Sequence, residues 1–176
     1  MKKIICLFLL LTSVFSLFSC GENDGYKTYT EGHVTFRLPE TLEKKNVSYA
    51  DIYYSNKDMN FRIKSFSNSQ LEEDGYYSKI TITDYVRLFM LWNGYTADYE
   101  YDEERELVTF DEVTTFEGEY DDGIGNIIEH KSHDYDYFMF FRQEGGITII
   151  TINCKGDRKD EFEEIFKYIA STVVLK

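Results

Sequence analysis

Proline is nearly missing from this chain. Pro39 stands alone among 176 residues, while aromatic side chains make up 17%, a balance unlike that of disordered segments, which are poor in aromatics. Cysteine is scarce and unpaired. Of the three cysteines, Cys6 lies in an N-terminal leader and Cys20 at its end, so Cys154 has no mate and the fold has no disulfide to lean on. Its place in an apolar strand, with only Lys155 as an adjoining cation, marks a buried structural thiol rather than a reactive one. Basic residues are outnumbered. The 19 Lys and Arg face 32 Asp and Glu, for a net charge of -13, which disfavours nucleic acid and anionic headgroups as partners. No long apolar run follows Phe18, so no membrane-spanning helix is expected downstream. Also missing are a Gly-x-Ser-x-Gly elbow, a phosphate-cradling glycine loop and a His-Glu-x-x-His helix. Gly123-Ile124-Gly125-Asn126 is too short for such a loop and reads as a hairpin turn. Nucleophilic catalysis has no candidate.

What is present begins with the leader. Met1, Lys2 and Lys3 form a positive start, and Ile4 to Phe18 is apolar except for Thr12, Ser13 and Ser16. This falls short of the roughly 20 apolar residues of a spanning helix and fits a secretory leader. Its end, Leu17-Phe18-Ser19-Cys20, resembles a bacterial lipobox, with Phe18 bulkier than the small residue usual at that place. The resemblance implies that residues 1–19 are a lipoprotein signal peptide, that diacylglycerol is joined to the Cys20 thiol, and that the new amino group receives an acyl chain such as palmitate. Each buried methylene contributes about 0.8 kcal/mol, so two or three chains hold a protein stably. The expected location is the bacterial cell envelope, lipid-anchored at the outer membrane. Cleavage also removes Lys2 and Lys3, which widens the acidic excess. Gly21 to Tyr29 is polar and without periodicity, so residues 20–30 read as the lipidated Cys and a tether. Residues 31–176 suit a single domain.

Within that domain, Val34, Phe36 and Leu38 alternate with polar residues in a half-buried strand that Pro39 ends. Ser48 to Tyr54 and Met59 to Phe66 form a hairpin across the turn residues Ser55-Asn56-Lys57-Asp58. Ser67 to Lys79 reads as a loop. Thr81 and Asp84 have capping-box spacing, and Ile82, Tyr85, Val86 and Phe89 recur at helical intervals, with Leu88, Met90, Leu91 and Trp92 widening the apolar face. Asn93-Gly94 is the stop. Strands are then expected over Thr96 to Tyr101, Leu107 to Glu117, Ile124 to His130, Tyr137 to Arg142 and Ile147 to Cys154, with a turn at Ser132-His133-Asp134. Ile147 and Ile149 point one way, and Ile150 and Ile152 the other, so the last strand is covered on both faces. Asp157 is placed to cap a closing helix whose stripe is Phe162, Ile165, Phe166, Ile169, Ala170 and Val173.

The first strand Val-Thr-Phe-Arg-Leu-Pro-Glu, the central apolar helix, the meander ending Ile-Thr-Ile-Ile-Thr-Ile-Asn-Cys and the closing helix Phe-Glu-Glu-Ile-Phe-Lys-Tyr-Ile-Ala-Ser-Thr-Val resemble the PsbP-like family. That family includes the photosystem II extrinsic protein, the nuclear-import Mog proteins and many bacterial lipoproteins. The resemblance implies an α+β fold in which an antiparallel β-sheet packs between helices, an α/β/α sandwich, over nearly all of the mature chain. Its motifs are hydrophobic patterns without a catalytic signature. Because members with known roles are mostly binding or assembly factors, it implies a non-catalytic binding module.

Three clusters remain as candidate sites. His130, His133, Asp134 and Asp136 lie within seven residues and carry imidazole and carboxylate groups that zinc accepts, although the spacing fits no standard zinc signature and a solvated turn is the preferred explanation. Acidic runs, Asp121-Asp122-Gly123 among them, lack the alternating order of a calcium loop and read as charged hairpin ends. Tyr49 and Tyr53 share a strand face, and Tyr135 and Tyr137 flank the start of another. Such tyrosines can anchor a protein or stack on a glycan. No cofactor is implied. The expected function is a lipid-anchored envelope module that meets the membrane through Cys20 and a protein or glycan through its tyrosines. The alternative is a metal-dependent or acid/base hydrolase acting on envelope material.

Overall fold

The structure, a computed structural model, describes residues 24–77, 79–121 and 127–176, without the side chains of 119–121 and 127–130. Cys20 lies outside the described residues. Among the described residues, ten strands and three helices follow in order: β1 (Tyr26–Glu31), β2 (Val34–Pro39), β3 (Glu43–Lys44), β4 (Ile52–Ser55), β5 (Met59–Ser67), α1 (Asn68–Glu73), α2 (Ile82–Asn93), β6 (Glu100–Asp102), β7 (Leu107–Asp121), β8 (Ile127–Gln143), β9 (Gly146–Lys155), α3 (Lys159–Thr172) and β10 (Val174–Leu175). Seven strands form one antiparallel sheet in the order β3-β4-β5-β9-β8-β7-β6, and β1-β2-β10 form a second. The fold is α+β. Among the described residues, no helix is long and apolar enough to cross a membrane.

The pleat of β8 and β9 explains where the core sits. Tyr135, Met139 and Phe141 of β8 and Ile150, Ile152 and Cys154 of β9 join Phe36 and Leu38 of β2 and Phe162, Phe166 and Ile169 of α3 in one buried cluster. Phe138, Phe140, Ile147 and Ile149 belong to a second cluster, with Leu71 of α1, Val86 and Met90 of α2, and Phe110 of β7. The strand is thus apolar on both faces because both faces are buried. Cys154 is 4% exposed, and burial pushes its thiol pKa up to about 11, as befits an inert core residue. Gly146 stands opposite Ser67 in the ladder. There the Phe66 carbonyl fills the space a Cβ would need, so only glycine allows β5 and β9 to approach so closely.

Several local expectations need correction. The supposed tether contains β1, all six residues of which pair with β2. Its two tyrosines, Tyr26 and Tyr29, are both partly buried against the core, but they stand three residues apart, so no apolar alternation announces the strand. The stretch from Ser67 to Lys79 contains α1, whose capping box joins Ser67 and Gln70. The first hairpin strand starts at Ile52, and β6 covers only Glu100–Asp102. Ser132-His133-Asp134 is no turn, because β8 runs unbroken from Ile127 to Gln143 in register with β7. Asp157 sits in a 3-10 turn, Gly156–Arg158, and does not cap α3.

The α2 start and stop agree with the spacing: Thr81 accepts the Asp84 amide at 3.1 Å, and Gly94 closes the helix at φ 74°, a left-handed conformation suited to glycine. Leu91 and Trp92, however, are 73% and 63% exposed. Its apolar face is narrower than the sequence suggests.

Candidate functional site

A helix of twelve residues is about 18 Å long, and α2 does not cover the whole face of the sheet that it packs on. Over β4 and β5 that face is polar. The register places Ser55, Asn60, Asn153, Asp136 and Glu112 in one row across β4, β5, β9, β8 and β7, and Tyr53, Arg62, Thr151 and Phe138 in the next. The Tyr53 hydroxyl donates to Asn60 Oδ1 at 2.7 Å, and Asn60 Nδ2 donates to Asn153 Oδ1 at 2.9 Å. Tyr49 meets Tyr53 edge-on with ring centroids 5.7 Å apart, and remains 56% exposed at the rim of the ladder.

Asp136 lies at the inner end of this ladder, 7% exposed. Burial pushes its pKa up to about 6, against the Arg62 charge and the Asn153 hydrogen bond that pull it down, while Asp134 adds to the rise. Above it, Glu112 ties the segment after α2 to the sheet, accepting from the Thr96 amide and hydroxyl at 2.9 and 2.8 Å and from the Ala97 amide at 3.2 Å. Tyr95 in this segment packs on Phe138 at 5.1 Å. Burial, followed by the Asp136 charge, pushes the Tyr95 hydroxyl up to about 12. The result is a buried carboxyl close to its own titration point, surrounded by side-chain amides and phenols. Chemically it can hold or release a proton near neutral pH and can present hydrogen-bonding groups to a partner laid across the face.

Of the eight residues singled out by sequence inside the domain, those whose side chains are described are divided between the two faces of the sheet. Tyr53, Asp134 and Asp136 lie on this face, with Tyr49 against Tyr53. His133, Tyr135 and Tyr137 lie on the other, because successive side chains of one strand point to opposite sides. His133 Nδ1 contacts Thr115 Oγ1 at 2.8 Å, and its ring leaves no room for a Cβ at Gly156. Asp134 is paired with Lys155 at 3.0 Å. The side chain of His130 lies outside the described residues. Among the described residues the metal grouping is therefore not assembled, and no cluster of three or more His, Cys, Asp or Glu there is placed to hold an ion.

Tyr135 offers no surface at all: it is fully buried, its ring lies parallel to Phe166 at 5.4 Å, and its hydroxyl sits beside Asp111 without closing a hydrogen bond of normal geometry. Tyr137 is half-buried and lines a cleft of about 300 Å³ between α3 and the β6–β7 edge, with Glu100, Asp102, Arg105 and Lys167. The two cations there already have partners. Arg105 donates to the Val173 carbonyl at 3.1 Å, and Lys167 donates to Glu163 and Glu164 at 2.6 and 3.2 Å. Asn60, Arg62 and Asn153 escaped sequence reasoning because only register joins them. The alternation of Asn60 and Arg62 with buried Phe61 and Ile63 was the available sign of a polar face.

Comparison with protein-family models and with curated protein sequences gives no match. Solved structures do match. The solution structure of cyanobacterial PsbP (CyanoP) from Synechocystis sp. PCC 6803 aligns with a TM-score of 0.51 at 14% identity, covering 90% of this chain and 98% of that one. The Saccharomyces cerevisiae Ran-binding protein Mog1p aligns with a TM-score of 0.48 at 11% identity, covering 85% and 95%. The chain has a PsbP-type fold.

Proposed function

We propose that this protein is a lipid-anchored, non-catalytic binding or assembly module of the cell envelope, built as a helix–sheet–helix sandwich and held to the outer membrane through Cys20. Its recognition surface is the polar face beside α2, and its ligand is a protein or glycan. The observation that carries this reading is Tyr49, a large aromatic more than half exposed and braced edge-on by Tyr53 at the margin of an ordered hydrogen-bond ladder. Rigid, amphipathic aromatics beside satisfied polar groups are what binding hot spots are made of. The PsbP-type fold and the lipobox-like leader support the same reading.

The test uses the acylated protein recovered from membranes. Tyr49→Ala/Tyr53→Ala is expected to weaken partner recovery by about thirtyfold or more, since truncated hot-spot tyrosines cost about 2 kcal/mol or more, while a cooperative melting transition shows that the variant still folds. Equal recovery by the wild type and the double variant contradicts the assignment of this face.

A further inference from the structure

The chain enters its fold firmly tied. Asp24 accepts two hydrogen bonds from Arg37 Nη2, both at 2.9 Å, and one from the Tyr26 amide at 3.1 Å; β1 starts two residues later. Only Gly21, Glu22 and Asn23 separate Asp24 from Cys20. Four peptide steps reach about 14 Å at most, at 3.3–3.6 Å each. A bilayer that holds Cys20 must therefore lie against the surface around Asp24.

That surface is the outer face of the small sheet. Its register sets Tyr26, Thr28 and Thr30 opposite Pro39, Arg37 and Thr35, with Val174 opposite Thr35 on the other edge. The Thr30 and Thr35 hydroxyls touch at 3.1 Å, while the alternate residues Phe36 and Leu38 are in the core. Tyr168 of α3 stands edge-on to Tyr26 at 4.7 Å, and its hydroxyl accepts from Arg37 Nη1 at 2.6 Å. In a chain with 32 acidic residues, these outward strand positions carry none, and the neighbouring carboxylate of Asp24 is neutralised by Arg37. Tyrosines with one apolar and one wet end, beside hydroxyls and an exposed valine, suit the membrane–water boundary. Most other surfaces of so acidic a protein do not.

We propose that the outer face of the β1-β2-β10 sheet rests on the bilayer, with Tyr26 and Tyr168 at headgroup level. This deepens the anchoring proposed above and rests on it. The α2 side, with Tyr49 and Tyr53, then faces away from the lipid and is free to meet a partner.

Trp92, the single tryptophan, sits on α2 across the large sheet and is 63% exposed, so the unaltered chain supplies its own far-side probe. Full-length protein, processed in a lipoprotein-producing host, is reconstituted in phosphatidylcholine vesicles with brominated acyl chains, which quench on contact. Trp92 is expected to keep its emission. Thr28→Trp and Val174→Trp, each combined with Trp92→Phe, are expected to lose most of theirs, and two reporters on different strands guard against one that fails to fold. Quenching of Trp92, or of neither reporter, in a chain whose Cys20 carries acyl chains by mass overturns the orientation alone. A Cys20 peptide without acyl mass overturns the anchor and the docking face together.

Discussion

Asp136 shows how one residue's environment sets a measurable property. Its folded pKa, about 6, lies above the ordinary value of 3.8, so between those values the folded state holds more protons than the unfolded one. Stability is then highest below about pH 3.8 as far as this group is concerned, and is lost as pH rises through 6. The loss is on the order of 2–3 kcal/mol, at about 1.4 kcal/mol per pKa unit. Asp136→Asn should flatten this part of the stability profile and raise the melting temperature at pH 7. Chemical denaturation across the window checks it, and an unchanged slope contradicts the burial argument. Sequence placed Asp136 beside His133 and Asp134 as a ligand set, but could not show that His133 points to the other face. That requires knowing that residues 130–136 are strand, and Ser132-His133-Asp134 carries turn chemistry that the β7 ladder overrides.

At the scale of elements, legibility followed hydrophobic period. The α3 stripe and the two-faced β9 were readable because Phe166, Ile169, Ile150 and Ile152 are fully buried and recur at helical or strand spacing. The strand β1 was not, since in its sequence Tyr-Lys-Thr-Tyr-Thr-Glu the two partly buried tyrosines stand three apart and break the period of two. Tyr29 stacks on Phe36 with centroids 5.9 Å apart and meets Tyr54 at 4.8 Å. If β1 belongs to the domain, Tyr29→Ala should cost about 2–4 kcal/mol, as large-to-small changes at packed aromatic sites do. A tether residue would cost nothing, and an unaltered urea midpoint would return residues 20–30 to that role. The helix α1 escaped for a related reason. Six residues with one buried side chain, Leu71, leave too little pattern to detect.

For the whole molecule, two faces of opposite character follow from these elements. The small sheet shows threonine, tyrosine and an Asp24-paired arginine where the described chain begins, whereas the opposite side carries the amide ladder, the Tyr49–Tyr53 pair and, near the end of α2, exposed Leu91 and Trp92. The fold class was legible because alternation and amphipathicity are global properties of the sequence. The face proposed to bind was legible only in part, since Tyr49 and Tyr53 were found by their spacing but Asn60, Arg62 and Asn153 needed the register. The most direct measurement places a photo-crosslinking residue at position 49 and, separately, at position 92 in the acylated protein within living cells. The account predicts one discrete adduct from position 49 that disappears when Tyr53 is also replaced by Ala. A discrete adduct from position 92 alone, with none from position 49, would contradict it.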